Sequence, residues 1–258
     1  MRAAVEYDGS RFCGFQWQPS VRTVAATLET ELSRMLDEPV KLTGAGRTDT
    51  GVHASGQVVS FTTARSFPFE RLAIALNSSL PPDVSVRDVA VVAPEFSARF
   101  TARERTYVYA ILNRPDRSAL LAERAYHVYR PLDLARMREA AAALVGTHDF
   151  RSFCATVPDN GITVRTVRAL EIERREAFVR VRISADGFLH RMVRSIVGTL
   201  VECGVGRRQP RDLPAMLEAR ARAAAGLTAP PHGLYLAGVK YEDGYDSYAE
   251  PPVFAWSP

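Results

Sequence analysis

Apolar positions in this chain recur in a definite order of strand-like and helix-like spacings. Residues 2–7 form a short, mostly apolar run closed by the turn pair Asp8-Gly9. Val24, Leu28, Leu32 and Met35 then repeat at helical spacing, and Pro39 ends that helix. Residues 40–43 lead into a glycine-rich loop, after which 57–63 alternate as a strand with Val59 and Phe61 on one face. Pro68 suits the first turn of a helix bearing Leu72, Ile74 and Leu76; Pro81-Pro82 breaks it, and 84–92 alternate again. Strand, helix, strand, strand, helix, strand is the split βαβ order of a ferredoxin-like half.

A second half begins at Arg105. Residues 106–112 alternate, with Tyr107, Tyr109 and Ile111 on one face. An alanine-rich helix at 134–145 has Asp133 as its cap and Gly146 as its stop. Residues 170–184 hold one or two strands. Leu189, Val193, Ile196 and Leu200 line one stripe of a helix, 213–225 form another ended by Gly226, and 234–241 form a closing strand. The proline-rich tail, 250–258, is expected to fray. The pattern gives an α+β chain of two similar halves, 1–104 and 105–249, each with an antiparallel sheet.

Composition changes this picture little. A chain of 258 residues holds one large or two modest domains, and 47% hydrophobic with 24% charged residues is ordinary for a folded protein. Cys13, Cys154 and Cys203 lie far apart with no CxxC pair, and the five histidines show no HxxxH or HExxH spacing, so neither a disulfide framework nor a zinc site is expected. No run approaches ~18 apolar residues, and the N-terminus reads as a strand rather than a leader, so we expect no membrane span and a reducing, cytoplasmic setting.

Charge adds more. The net charge is +4, and of 33 basic side chains all are arginine except Lys41 and Lys240. Arginine suits phosphates and base faces, although composition bias alone accounts for such a preference. The arginines concentrate at 99–117, which include Arg103 and Arg105, and at 174–194. Arg180 and Arg182 share one face of a strand opposite Val179, Val181 and Ile183. That comb is either the solvated face of a sheet or a phosphate grip.

The candidate chemistry sits at residues 44–54, GAGRTDTGVHA. Glycines surround Arg47 and Asp49, letting another molecule approach, and an adjacent guanidinium favours an ionised carboxylate, as a nucleophile or base requires. From these residues alone, a tight turn in which Asp49 caps local N–H groups fits equally. No GxxxxGK[ST] phosphate loop occurs.

The same string closely resembles the signature loop of the TruA-type tRNA pseudouridine synthases. Tyr7-Asp8-Gly9-Ser10 with Gly14-Phe15-Gln16, Ala75-Leu76-Asn77 through Leu80-Pro81, ARERTYVY at 102–109, GFLHRMVRSIVG at 187–198 and APPHGLYL at 229–236 resemble further motifs of that family, in order. One departure is Phe15, where the family usually has tryptophan; here Trp17 lies nearby. The resemblance implies two halves joined around a central RNA-binding cleft, tRNA as partner, a homodimer, no metal and no cofactor. It implies conversion of uridine to pseudouridine at nucleotide positions 38 to 40 of the anticodon stem-loop, with Asp49 catalytic. It further implies that Arg47 fills the gap left by a flipped nucleotide, Tyr107 stacks on the target uracil, Arg194 pairs with Asp49, and Leu234 and Leu236 pack near the uracil pocket. His53 and His190 are then structural or RNA-facing. Rival assignments are a non-catalytic RNA-binding protein, a pseudouridine synthase for another RNA, and a metal-dependent nuclease, the last disfavoured by the lack of a carboxylate or histidine cluster.

Overall fold

The computed structural model describes residues 1–242 and 244–255. In chain order the elements begin with β1 (Arg2–Tyr7), α1 (Val24–Leu36), β2 (Thr43–Gly44), β3 (His53–Ser60), α2 (Leu72–Ser79), β4 (Val84–Ala90), β5 (Glu104–Leu112) and β6 (Tyr126–His127). There follow α3 (Leu134–Ala142), β7 (Gly146–Asp149), β8 (Val164–Arg175), β9 (Phe178–Ala185), α4 (Met192–Gly204), α5 (Leu213–Glu218), β10 (Leu234–Lys240), β11 (Ser247–Tyr248) and α6 (Pro252–Ala255). The result is a mixed α+β protein whose strands pair mostly antiparallel. Two compact units divide it: Met1–Arg105 with Tyr235–Pro252, and Thr106–Leu234 with the residues from Val253 on. Residues 235–252 therefore belong to the first unit, whereas a linear division at residue 105 assigns them to the second half.

In the first unit β1 pairs antiparallel with β3 on one edge and β4 on the other. Along the far edge of β3, β2 pairs antiparallel at Val59 and Ser60, while β10 pairs parallel at His53 and Ala54. Every residue of β3 is buried. The alternation that marks a half-buried strand is therefore missing from 53–56, and the strand starts earlier than its spacing suggests. Gly56 is required there, because a Cβ would stand 2.1 Å from the Ala237 carbonyl oxygen. Helix α1 is capped by Thr23, whose hydroxyl accepts from the Ala26 amide at 3.3 Å, and buries Val24, Leu28, Leu32 and Leu36. It ends at Asp37, left-handed at φ 50°. In α2, Leu72 and Leu76 are buried but Ile74 faces solvent.

In the second unit β8 and β9 form a long hairpin closed at Arg175 and Phe178, with Glu176 at positive φ. β9 neighbours β5 and β8 neighbours β7. Asp133 caps α3, accepting from the Ala135 and Arg136 amides at 2.9 and 3.1 Å. Helix α4 is buried nearly all round, Arg194 and Glu202 excepted. Two expectations are corrected here. The helix expected at 213–225 stops at Glu218: Arg220 turns to φ 48°, and Ser152 Oγ accepts the Ala221 amide at 3.0 Å, so only one 3-10 turn follows. The tail does not fray through residue 255, because α6 places Phe254 against Phe178 with ring centroids 5.8 Å apart. Residues 256–258 lie outside the described residues. No helix among the described residues is long and apolar enough to cross a membrane.

Asp133 is exposed, and its carboxylate satisfies two otherwise open amides of α3. Asp133→Ala is predicted to cost about 1 kcal/mol. Urea unfolding would show this as a lower midpoint at unchanged slope; an unchanged midpoint would rule out a stabilising cap.

Candidate active site

Residues 45–52 connect β2 to β3, and side chains of the sheet hold this connection from beneath. Ala45 donates its amide to the Val58 carbonyl at 2.8 Å. Gln57, fully buried in β3, grips the next residue on both sides: Oε1 accepts from the Gly46 amide at 3.3 Å and Nε2 donates to the Gly46 carbonyl at 2.7 Å. Thr48 points inward, its hydroxyl 2.7 Å from that of Tyr7. Burial pushes the Tyr7 phenol well above its ordinary range, so it stays a neutral hydrogen-bonding group. Arg105 closes the base of the loop, its guanidinium donating to the carbonyls of Ala45 at 3.1 Å, Ala102 at 3.1 Å and Arg99 at 2.6 Å.

A second segment braces the loop from the side. Phe15 donates its amide to the Thr48 carbonyl at 3.1 Å, and Gly51 donates to Phe12 at 3.4 Å. Gly14, at φ +83°, lies so close that a Cβ would sit 2.8 Å from the Thr48 oxygen. The Phe15 ring in turn occupies the space a Cβ on Gly44 would need. The first amides of α1 hold this brace, Val24 donating to Gly14 at 3.2 Å and Ala25 to Phe15 at 2.9 Å. The brace thus links the helix to the loop.

With Thr48 held inward, its neighbours emerge. Arg47 is exposed and Asp49 half-buried. The Asp49 carbonyl accepts from the Val52 amide at 3.1 Å, closing a tight turn in which Gly51 takes φ +77°. A carboxylate is thereby carried on a backbone fixed at both ends, two residues after an exposed arginine. Such a constellation can meet a polar substrate without rearranging.

The family model described as tRNA pseudouridine synthase matches residues 3–101 and 140–242. Curated relatives named tRNA pseudouridine synthase A are similar over nearly the whole chain. That of Methylococcus capsulatus is 46% identical over 241 residues, covering 93% of this chain and 89% of its own. That of Bacillus pumilus is 44% identical over 245 residues, 94% and 99% of the two chains, and that of Caldicellulosiruptor saccharolyticus 41% over 237 residues, 92% and 97%. The chain belongs to the tRNA pseudouridine synthase family. It is an isomerase that acts on tRNA.

Among the residues singled out in sequence, this synthase carries Arg47, Asp49, Arg103, Arg105 and Leu236 in its first unit, and Tyr107, Arg180, Arg182 and Arg194 in its second. Leu236 is fully buried and sits in register with Ala54 at the end of the loop. Arg105 belongs to the scaffold just described, and the exposed Arg103 pairs with Glu242 at 2.8 Å. Tyr107 is buried, its ring edge-on to Phe188 at 5.1 Å. Arg194, in the first turn of α4, exchanges bonds with Ala229, donating from Nε to its carbonyl at 2.8 Å and accepting its amide at 3.0 Å. Arg180 and Arg182 do share a face, but across the hairpin they meet Glu173 at 3.0 Å and Glu171 at 3.3 Å. His53 is buried, its ring stacked on Tyr235 at 4.7 Å and its Nδ1 3.0 Å from the Gly9 amide; His190 is exposed and lies 3.0 Å from the Thr156 hydroxyl.

Sequence reasoning missed Gln57, Tyr7 and Thr48 as the supports of the loop. The one available signal is the polar Gln57 directly before the apolar pair Val58-Val59. Gln57→Leu is predicted to destabilise the fold by ~1–3 kcal/mol, since the Gly46 N–H and C=O both lose their partner, and to slow turnover roughly 100-fold by letting the loop shift. Urea unfolding and steady-state kinetics would read the two effects. Wild-type turnover in a folded variant would show that the clamp does not position Asp49.

Proposed function

We propose that this synthase converts uridine to pseudouridine in the anticodon stem-loop of tRNA, with Asp49 as the catalytic carboxylate. The observation that carries the proposal is the placement of Asp49 on a braced turn, two residues after the exposed Arg47. The N1–C1′ bond breaks with its electron pair going to the uracil, the ring turns, and C5 bonds to C1′. N1 then regains a proton and C5 gives one to solvent. The product is an isomer of the substrate, so the net reaction consumes neither an oxidant nor water. An ionised carboxylate can attack the sugar or base as nucleophile, or remove a sugar proton as base.

A uridine inside a stem is reachable only once it leaves the stack. In the proposed complex Arg47 occupies the vacated place, where a guanidinium both stacks and donates. Tyr107 stacks on the flipped uracil, Leu236 walls its pocket, and Arg194 holds Asp49 charged as water is excluded. Arg103, Arg180 and Arg182 exchange their glutamate partners for tRNA phosphates. The strand order β4-β1-β3-β2 supports a ferredoxin-like first half. A second such half, a central cleft, a cytoplasmic homodimer and one tRNA contacting both subunits complete the proposal, resting on the family resemblance.

Tritium release from 5-tritiated uridine in unmodified tRNA tests the chemistry. Wild type should release tritium without added metal or cofactor, and Asp49→Asn should lower the rate at least ~10³-fold. Equal release by both would remove Asp49 from the mechanism; binding without release by either would favour a non-catalytic RNA-binding protein. The phosphate contacts have their own test. Affinity should fall linearly on a log–log plot against salt, and Arg180→Ala and Arg182→Ala should each reduce the slope by about 1. An unaltered slope in both variants would leave these arginines to the sheet.

A further inference from the structure

Phe15 settles where the departure from the family pattern leads. Its ring is buried at 2% exposure and fills the space above Gly44. The inner place is therefore taken, and the indole two residues on lies outside. Trp17 is 50% exposed within a run, residues 16–22, that is exposed throughout. A large aromatic surface left in water gains free energy from whatever covers it.

The exposed run is ordered. The Cys13 amide donates to the Arg22 carbonyl at 2.8 Å, closing the segment at its neck. Gln18 Nε2 donates back to the Cys13 carbonyl at 2.8 Å, and Ser20 adopts φ 62°. The indole is thus presented on a closed loop rather than on a trailing chain. Its face already attracts a cation: Lys41 Nζ lies 5.9 Å from the ring centroid, with its side chain 80% exposed and paired to Glu29. Position completes the case. Phe15 is hydrogen-bonded to the carbonyl of Thr48, the residue before Asp49, and Trp17 is two residues from Phe15. At the reach of an extended chain the two Cα atoms are within ~7 Å of each other.

We infer that Trp17 is a stacking platform for a tRNA base other than the target uridine, on a nucleotide neighbouring the one Asp49 acts on, with Lys41 beside it for the attached phosphate. The inference rests on the proposed reaction at Asp49. A flat exposed π-face takes any base, so the platform adds affinity and register without choosing sequence.

Steady-state tritium release with an unmodified anticodon stem-loop tests it. Trp17→Ala should raise KM roughly ten- to a hundredfold, and Trp17→Phe should restore most of the loss. Saturated turnover should stay within about twofold, since the chemistry is untouched. The salt slope of binding should be unchanged, because stacking releases no counterions. Trp17 and Trp256 are the two tryptophans of the chain, so in a Trp256→Phe background the Trp17 fluorescence should be quenched on adding the RNA. Unchanged KM and no quenching, with normal tritium release by wild type, would overturn the platform alone. A shallower salt slope in Trp17→Ala would also overturn it, the residue then serving phosphate contact. Quenching without release by wild type would support the platform and sink the assigned reaction.

Discussion

A buried amide side chain holding the backbone of one residue is the constraint from which the rest of the site follows. Gln57 has no route to water and satisfies both the N–H and the C=O of Gly46. An unpaired buried amide is costly, so the loop cannot shift without leaving two polar groups unmet at once. Thr48 is then carried to Tyr7, Phe15 finds the Thr48 carbonyl, and the turn at Asp49 closes. Fixing the backbone on the sheet side leaves Arg47 exposed and Asp49 half-buried on an ordered turn. A loop held in this way loses little further entropy on meeting a ligand.

Arginine shows the opposite tendency to what its abundance suggests. Many guanidiniums serve internal carbonyls: Arg105 those of Ala45, Ala102 and Arg99; Arg136 those of Cys203 and Arg208; Arg138 that of Ile172; Arg222 that of Gly226. A planar, multiply donating cation is well suited to gathering chain segments whose own hydrogen bonds are incomplete. Net charge is therefore a poor guide to how much of this surface meets RNA. The arginines that stay exposed on ordered loops are more informative than the count.

Much of the fold was legible, for identifiable reasons. β1, α1, β4, β5 and α3 carry their periods and their turn or cap residues openly. Residues 53–56 did not read as strand because both edges of β3 are paired and both faces covered, which permits Ser55 and Gly56 where alternation would exclude them. The short strands β2, β6, β7 and β11 are too brief to have a period. The break at Arg220 depends on a hydroxyl from Ser152, distant in sequence. At the site, the glycine-rich string marked the loop that carries Arg47 and Asp49. Gln57 stayed hidden because a polar residue in a strand usually marks the wet face, and only the sheet reveals that β3 has none.

The parallel pairing of Tyr235 and Leu236 with His53 and Ala54 has a consequence for how the molecule is made. Ribosomal synthesis is vectorial, at roughly 5–20 residues per second. The strand that leads out of the Asp49 loop emerges roughly 180 residues before its partner. During that interval β3 has an unsealed edge at His53 and Ala54. Exposed edges of that kind invite pairing with other chains, so the interval between the two strands is a window in which the first unit is open to misassembly.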